Sequence, residues 1–563
     1  MGGFVGALWK TGISLEGFMI KRFSISPGIL AGLIPLVFLS LFYFYPLAGI
    51  FFKSFFSQGD FSLSSSGYLL QSKRIAGIVW FTIWQAGIST LLTLVIALPC
   101  AYVMATFNFP WKKLFMTLAT IPFVLPTIVV AAAFQALAGE KGLLCNLAAE
   151  QSLTMIFVAH IFYNFSVVLR ITVGFWSAIG PQMKEAAAML GATPFQVFFK
   201  VTLPLLKPAI FAASFLVFIF CFSSFGVILI LGGPGFSTIE VEIYRQAAHL
   251  FNLPVAAMLS LLQIVITFAM MWVYTALQKR LVQFSPETEA MSASMPKGGV
   301  EKCMVLGCVG FIVCFSLFPM LALVIKSLWY EGRVSLVFYQ SLFYNVSGSI
   351  FYVPPMRAMG NSLMFAMATL GMALVVGGCA AVVIHGAKGR FSSLLDPLFM
   401  LPLSTSAVTL GFGMIITLDA PPLNLRTSPF LVPVVHTLVA FPFVVRSVLP
   451  AIRSIPQALR EAAGMLGASP GRVWVHVDLP IIGRALTVGA VFAFTISLGE
   501  FGATLFTARP EYATIPMAIY GFLGQPGATN YGQAMAVSSL LMLVTTAGFM
   551  VIEKLRPQGY EGF

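Results

Sequence analysis

The chain has 563 residues, of which 59% are hydrophobic and only 9% charged, with a mean hydropathy of +0.94. Soluble domains carry about 25% charged residues, so an ordinary soluble protein is excluded and an integral membrane protein is expected. The net charge of +13 does not imply nucleic acid, because the Lys and Arg residues sit in short loops between apolar runs, where membrane topology accounts for them.

From the N-terminus, Lys10, Lys21 and Arg22 precede a long apolar run without a small-residue cleavage site, which predicts an uncleaved first membrane helix. Apolar runs long enough to cross a hydrocarbon core of about 30 Å then recur along the chain. They fall near 29–52, 76–105, 112–136, 152–176, 205–232 and 254–279, and again near 303–327, 361–384, 393–417, 430–452, 481–506 and 533–553. The expected fold is therefore an all-α integral membrane protein of about twelve transmembrane helices, six in each of two halves. The halves are residues 1–280 and 303–563, joined by a polar linker over 281–302 that reads as flexible and cytoplasmic. The seven cysteines, Cys100, Cys145, Cys221, Cys303, Cys308, Cys314 and Cys379, show no metal-ligand spacing and are expected as free, packed thiols.

Positive charge sets the orientation. With both termini in the cytoplasm, Lys112, Lys113, Lys184, Lys200, Lys279, Arg280, Lys388, Arg390, Arg453, Arg460, Arg472, Lys554 and Arg556 all face inward; Lys53, Lys73 and Arg74 are the exceptions.

One stretch occurs twice. EAAAMLGATPFQVFFKVTLPLLKPAI begins at Glu185, and EAAGMLGASPGRVWVHVDLPIIGRAL begins at Glu461, an ungapped shift of 276 residues that also relates His160, Phe165 and Arg170 to His436, Phe441 and Arg446. A repeat of this length means two copies of one structural unit. Both copies fall in loops expected on the cytoplasmic side, about 181–204 and 456–480. Each is expected to open with a short helix after Pro181-Gln182 or Pro456-Gln457, to turn at Gly191 or Gly467, and to start a second short helix capped by Thr193 or Ser469. Leu203-Pro204 and Leu479-Pro480 should then turn the chain back into the membrane.

These residues resemble the coupling loop of type I ABC importer permeases, whose pattern EAA---G---------I-LP appears here twice, with Val201 and Val477 in place of the usual Ile. By that resemblance the loop docks on a nucleotide-binding subunit, and the coupling role falls to Glu185, Ala186, Gly191 and Pro204 and to Glu461, Ala462, Gly467 and Pro480. No Gly-x-x-x-x-Gly-Lys-Ser/Thr phosphate loop occurs; the glycine-rich run Gly232-Gly233-Pro234-Gly235 lacks the lysine. The resemblance thus implies a non-enzymatic permease of the bacterial inner membrane that binds no cofactor or metal and has no catalytic residue. Two copies of a separate ABC ATPase would carry ATP and Mg, and an extracytoplasmic substrate-binding protein would deliver the cargo.

For the path itself, Glu500 in SLGEFGATLF is the clearest charged residue, and its counterpart 276 residues earlier is Ser224, so the path is expected to be asymmetric. A carboxylate there could attract a cation such as thiamine or a metal, or could brace a helix bend at Gly499 and Gly502. His160 and His436 read as packed, hydrogen-bonded residues. The fused layout and the segment SLGEFGATLFTARPEYATIPMAIYGFLGQPG are most similar to permeases for thiamine, then ferric iron, then molybdate or sulfate. The rival by topology alone, an ion-coupled secondary transporter, would be expected to carry ionisable groups or broken helices at the midplane.

Overall fold

The computed structural model describes residues 27–57, 60–61, 71–144, 152–179, 181–283, 294–344, 354–387, 390–419, 421 and 423–555. Among them, ten helices are long and apolar enough to cross a membrane, or twelve if each of two sharply bent pairs is one span. The protein is an all-α membrane protein in two related halves; the described residues also include two minimal hairpins, Phe56–Ser57 with Asp60–Phe61 and Trp329–Tyr330 with Arg333–Val334.

The first half runs α1 (Gly32–Phe55), α2 (Lys73–Thr106), α3 (Lys112–Val124), α4 (Thr127–Ala138), α5 (Leu153–Ala178), α6 (Pro181–Met189), α7 (Pro194–Phe222), α8 (Gly226–Leu231), α9 (Ile239–Tyr244) and α10 (Leu253–Gln283). The second runs α11 (Gly299–Leu328), α12 (Pro355–Gly386), α13 (Leu394–Ser404), α14 (Ala407–Thr417), α15 (Leu431–Arg453), α16 (Gln457–Met465), α17 (Pro470–Gly499), α18 (Thr504–Thr507), α19 (Ile515–Leu523) and α20 (Ala528–Leu555). In each half a three-helix sandwich forms the body: α2 with α5 and α7, and α12 with α15 and α17. Small residues allow close approach, as at Gly377 of α12, where any Cβ would meet Val444 of α15 at 2.8 Å. Buried hydroxyls such as Thr82, Thr90 and Thr93 return their protons to the carbonyl four residues earlier, the way a helix satisfies polar groups away from water. Large apolar side chains on the outer faces, among them Phe51, Trp80, Leu91, Val265, Trp272 and Leu306, are left for lipid.

Three expectations need correction. The runs at 112–136 and 393–417 are not straight spans: α3 and α4 meet at 102°, α13 and α14 at 91°. Pro126 explains the first break, since a proline drives the residue before it out of the helical region, and Leu125 is extended at φ −67°, ψ 139°. The runs at 205–232 and 481–506 are shifted, because α7 and α17 begin in the loops and end at Phe222 and Gly499. Finally, Leu203-Pro204 and Leu479-Pro480 do not turn the chain. Helices α7 and α17 pass through them unbroken, each by a wide π turn, Phe198–Thr202 and Trp474–Asp478, in which Leu203 N–H donates to Phe198 O and Leu479 N–H to Trp474 O. The wider turn makes room for the ring of the proline that follows, which would otherwise press on the preceding turn.

The halves interlock. α1 packs on α12 and α14 of the second half as well as on α10 of its own, and α11 packs on α2, α3 and α4 of the first half as well as on α20. Tyr43 of α1 is buried with its hydroxyl 2.8 Å from Thr405 Oγ1, and Phe311 and Phe315 of α11 sit edge-on to Phe165 and Phe162 of α5. Part of the expected linker, residues 284–293, lies outside the described residues, as does Cys145. At its far end Ser294 pairs by backbone hydrogen bonds with Thr106 and Asn108, and Glu301 accepts from the N–H groups of Lys297 and Gly298 to start α11. The other six cysteines are free thiols.

Candidate functional site

The two repeated loops fold alike. α6 ends in a left-handed turn at Gly191, φ +82°, where Gly191 N–H donates to Ala188 O and Ala192 N–H to Ala187 O. α16 ends the same way at Gly467, φ +83°, with Gly467 N–H on Gly464 O and Ala468 N–H on Ala463 O. This pair of bonds satisfies the last carbonyls of a helix and demands a residue that tolerates positive φ. Thr193 then caps α7 by accepting from Gln196 N–H while Gln196 Oε1 accepts from Thr193 N–H, a reciprocal box. Ser469 holds the same position before α17 but makes no side-chain cap, contrary to expectation, and Arg472, in place of Gln196, has no acceptor to complete a reciprocal box.

Glu185 and Ala186, Glu461 and Ala462, and both turn glycines lie on the exposed surface, as do Pro204 and Pro480 in the helices that follow. At the tip of each loop an apolar pair stands almost free of the body: Met189 and Leu190 are each 89% exposed, Met465 90% and Leu466 89%. An apolar tip of this kind on a rigid turn is suited to insertion into a complementary cleft.

The far ends of α7 and α17 meet at the centre. Gly499 abuts Pro126, at the α3–α4 break, and Phe225 and Phe501, just beyond α7 and α17, hold their rings 5.6 Å apart. Gly502 sits against Val408 and Phe225, Gly411 against the backbone of Ala503, and the rings of Tyr244 and Phe506 pack 5.7 Å apart. The breaks after α3, α7, α13 and α17 therefore converge on one junction between the halves.

Ser224 and Glu500 both stand at this junction but differ in role. Ser224 is buried and pairs with His160 Nε2 at 2.9 Å, while the other ring nitrogen is 2.9 Å from Ser89 Oγ. His436 is held likewise by Ser497 and Thr504, each at 2.8 Å. Each imidazole spends both nitrogens on hydroxyls and keeps none for a ligand. Glu500 Oε1 accepts from Ala503 N–H at 3.1 Å and its carbonyl from Thr504 Oγ1 at 2.8 Å, so the side chain caps the turn into α18 while staying partly exposed.

The sequence reading missed two buried acids. Glu240 and Glu242 on α9 are 2% and 0% exposed. Glu242 accepts two bonds from Arg245, at 2.7 and 2.9 Å, and one from Gln246, whereas Glu240 accepts from Gln263 Nε2 at 2.7 Å. The signal was present in IEVEIY, acids alternating with apolar residues, but the stretch lies between expected spans and read as an outer loop. The matched positions in the second half are Pro516 and Ala518, so the first half alone carries these acids.

The chain is similar to known proteins over most of its length. The thiamine transport system permease protein of Brucella abortus (strain 2308) is 25% identical over 501 residues, covering 86% of this chain and 88% of that protein. That of Escherichia coli (strain K12) is 25% identical over 505 residues, covering 86% and 90%. A probable ABC transporter permease protein of Sinorhizobium fredii is 21% identical over 510 residues, covering 86% and 89%. Residues 97–283 and 373–556, more than half of the chain, each match the family described as binding-protein-dependent transport system inner membrane component, and the protein belongs to that family, carrying its unit twice.

Proposed function

We propose that this chain is the fused permease of a type I ABC importer for thiamine, with residues 1–280 and 303–563 as its two half-transporters. The observation that carries this reading is the pair of EAA loops, each ending in an exposed Met-Leu tip and each continuous with a helix that reaches the central junction. Two copies of a separate ATPase dock on the loops, with Glu185, Ala186, Gly191 and Pro204 and Glu461, Ala462, Gly467 and Pro480 forming the contact. ATP and Mg are held by those subunits and no cofactor by this chain. A substrate-binding protein delivers thiamine on the opposite, extracytoplasmic face, and both termini lie in the cytoplasm. The substrate assignment is supported by the relatives named as thiamine permeases.

The geometry supplies a mechanical route. Because α7 runs from Pro194 to Phe222 and α17 from Pro470 to Gly499 without interruption, a displacement at either loop is carried along a stiff rod to the junction. When the ATPases close on ATP, the loops approach one another and the rods tilt. Phe225 then separates from Phe501 and Gly499 from Pro126, opening the path past Ser224 and Glu500.

The test is ATP-dependent uptake of labelled thiamine, with ferric iron in parallel, by vesicles holding this chain with its own ATPase and binding protein. Thiamine accumulation that is lost in the Glu185→Ala/Glu461→Ala double variant is the expected result. Wild-type uptake by that variant would refute the role of the loops, and accumulation of iron alone would refute the cargo.

A further inference from the structure

The second loop helix is tied to its rod by an ion pair. α16 has no buried residue, so hydrophobic packing contributes little to holding it. Instead Arg460 of α16 reaches the foot of α17, where its Nε donates to Asp478 Oδ1 at 2.8 Å. Asp478 lies in the π turn of α17 and is only 6% exposed, so this is a charge-assisted bond largely shielded from water, stronger than a pair on the open surface. The same guanidinium places Nη1 3.4 Å from His385 Nε2, at the end of α12. One side chain thereby joins the loop helix, the rod and a neighbouring helix of the body.

The first half carries no acid at the position matched to Asp478. The position matched to Asp478 is Thr202, buried and uncharged. Beside that loop lies a cavity of about 800 Å³, lined by Pro99, Tyr102, Trp176, Ala188, Phe198 and Leu206, whereas the depression beside the second loop is about 190 Å³. At the matched positions Asp478 and Thr202 an ionic bond between loop helix and rod is therefore available to the second half only.

We propose that the Arg460–Asp478 pair is the link through which the second loop drives α17, so that the two halves are mechanically unequal and coupling depends on the second loop more than on the first. The proposal rests on the reading of both loops as ATPase docking sites. Arg460 and Asp478 are positioning residues: they touch neither cargo nor nucleotide, and they act by keeping loop and rod in register.

The experiment uses the complete assembly in liposomes, with labelled thiamine or ferric iron as probe, whichever the wild-type assembly accumulates. It reads cargo accumulated per ATP hydrolysed together with the amount of ATPase retained. Loss of one charge-assisted bond in Asp478→Asn is expected to lower that ratio about tenfold with the ATPase still bound. Asp478→Glu should restore most of it, and Thr202→Val should stay within about twofold of wild type because no charged bond is lost. Arg460→Gln approaches the pair from its more exposed side and must reproduce the fall. A wild-type ratio in folded Asp478→Asn or Arg460→Gln, an equal fall in Thr202→Val, or loss of the ATPase in place of loss of coupling would each overturn the proposal. Failure of the underlying reading shows separately, as unimpaired uptake by the Glu185→Ala/Glu461→Ala variant.

Discussion

Gly499, the last residue of α17, lies directly against Pro126, at the break between α3 and α4, so that a rod from one half ends on a bend of the other. A Cβ at position 499 would stand 2.8 Å from Pro126 Cγ, closer than real carbons come, and the proline ring has little freedom to retreat. Overpacking of this kind costs about 1–3 kcal/mol. Gly499→Ala should therefore lower the thermal unfolding temperature in detergent and reduce uptake. Unchanged values for both would show that the junction is looser than its contacts imply.

Neighbouring glycines of α12 should respond oppositely. At Gly377 an added methyl meets Val444 Cβ at 2.8 Å and Phe441 O at 3.0 Å, while at Gly378 nothing lies within 4 Å. We expect Gly377→Ala to destabilise by about 1–3 kcal/mol, and Gly378→Ala to be neutral or to stabilise by up to about 1 kcal/mol, the difference in helix propensity. Thermal unfolding of the two variants side by side decides it.

The loop turns provide a third comparison. Gly191 and Gly467 have positive φ and open space around the missing side chain, so any penalty on substitution is backbone strain alone. Alanine should cost about 1–2 kcal/mol at each, with asparagine milder because it enters the left-handed region more readily. Uptake should follow the order Gly, Asn, Ala in the assembled transporter, and equal uptake by all three would mean that the turn is not strained.

The two buried acids should behave differently. Breaking a fully buried pair costs about 3–5 kcal/mol; we expect about 2 kcal/mol for Glu242→Gln, because the Arg245 side chain remains 32% exposed. Glu240→Gln keeps an oxygen for Gln263 and should cost about 1 kcal/mol or less. A larger loss of stability at 240 than at 242 in a thermal unfolding series would contradict this assignment.

The crossing of α1 into the second half can be probed at Tyr43. Removing its hydroxyl in Tyr43→Phe takes away the bond to Thr405 and should cost about 1 kcal/mol. A change no larger than that of an outward-facing control such as Phe51→Leu would argue that the crossing is held by apolar contact alone.

Much of this was legible in the residues. The ungapped repeat, the apolar runs and the positive-φ glycines are local patterns, and Gly191, Gly467 and the Thr193 cap could be read because the groups they satisfy lie within five residues. The paired histidines were also recognisable as matched positions, although their partners were not. The breaks at 125–126 and 405–406 escaped because a window averaged over a span registers apolarity and not direction, and a proline in a membrane helix is compatible with either a bend or a straight rod.

What the sequence by itself determined is therefore the class of the protein and its doubling: composition dictates burial in lipid, and the EAA repeat marks two equivalent loops. Only the tertiary structure decided how the halves are joined and where they differ. Tyr43 meets Thr405 across 362 residues and Phe225 meets Phe501 at the junction, contacts that leave no periodic trace in the chain. The burial of Glu240 and Glu242 and the Arg460–Asp478 bond belong to the same kind. Whether a charge is solvated or held depends on what distant segments place around it, and that becomes fixed only when the helices pack.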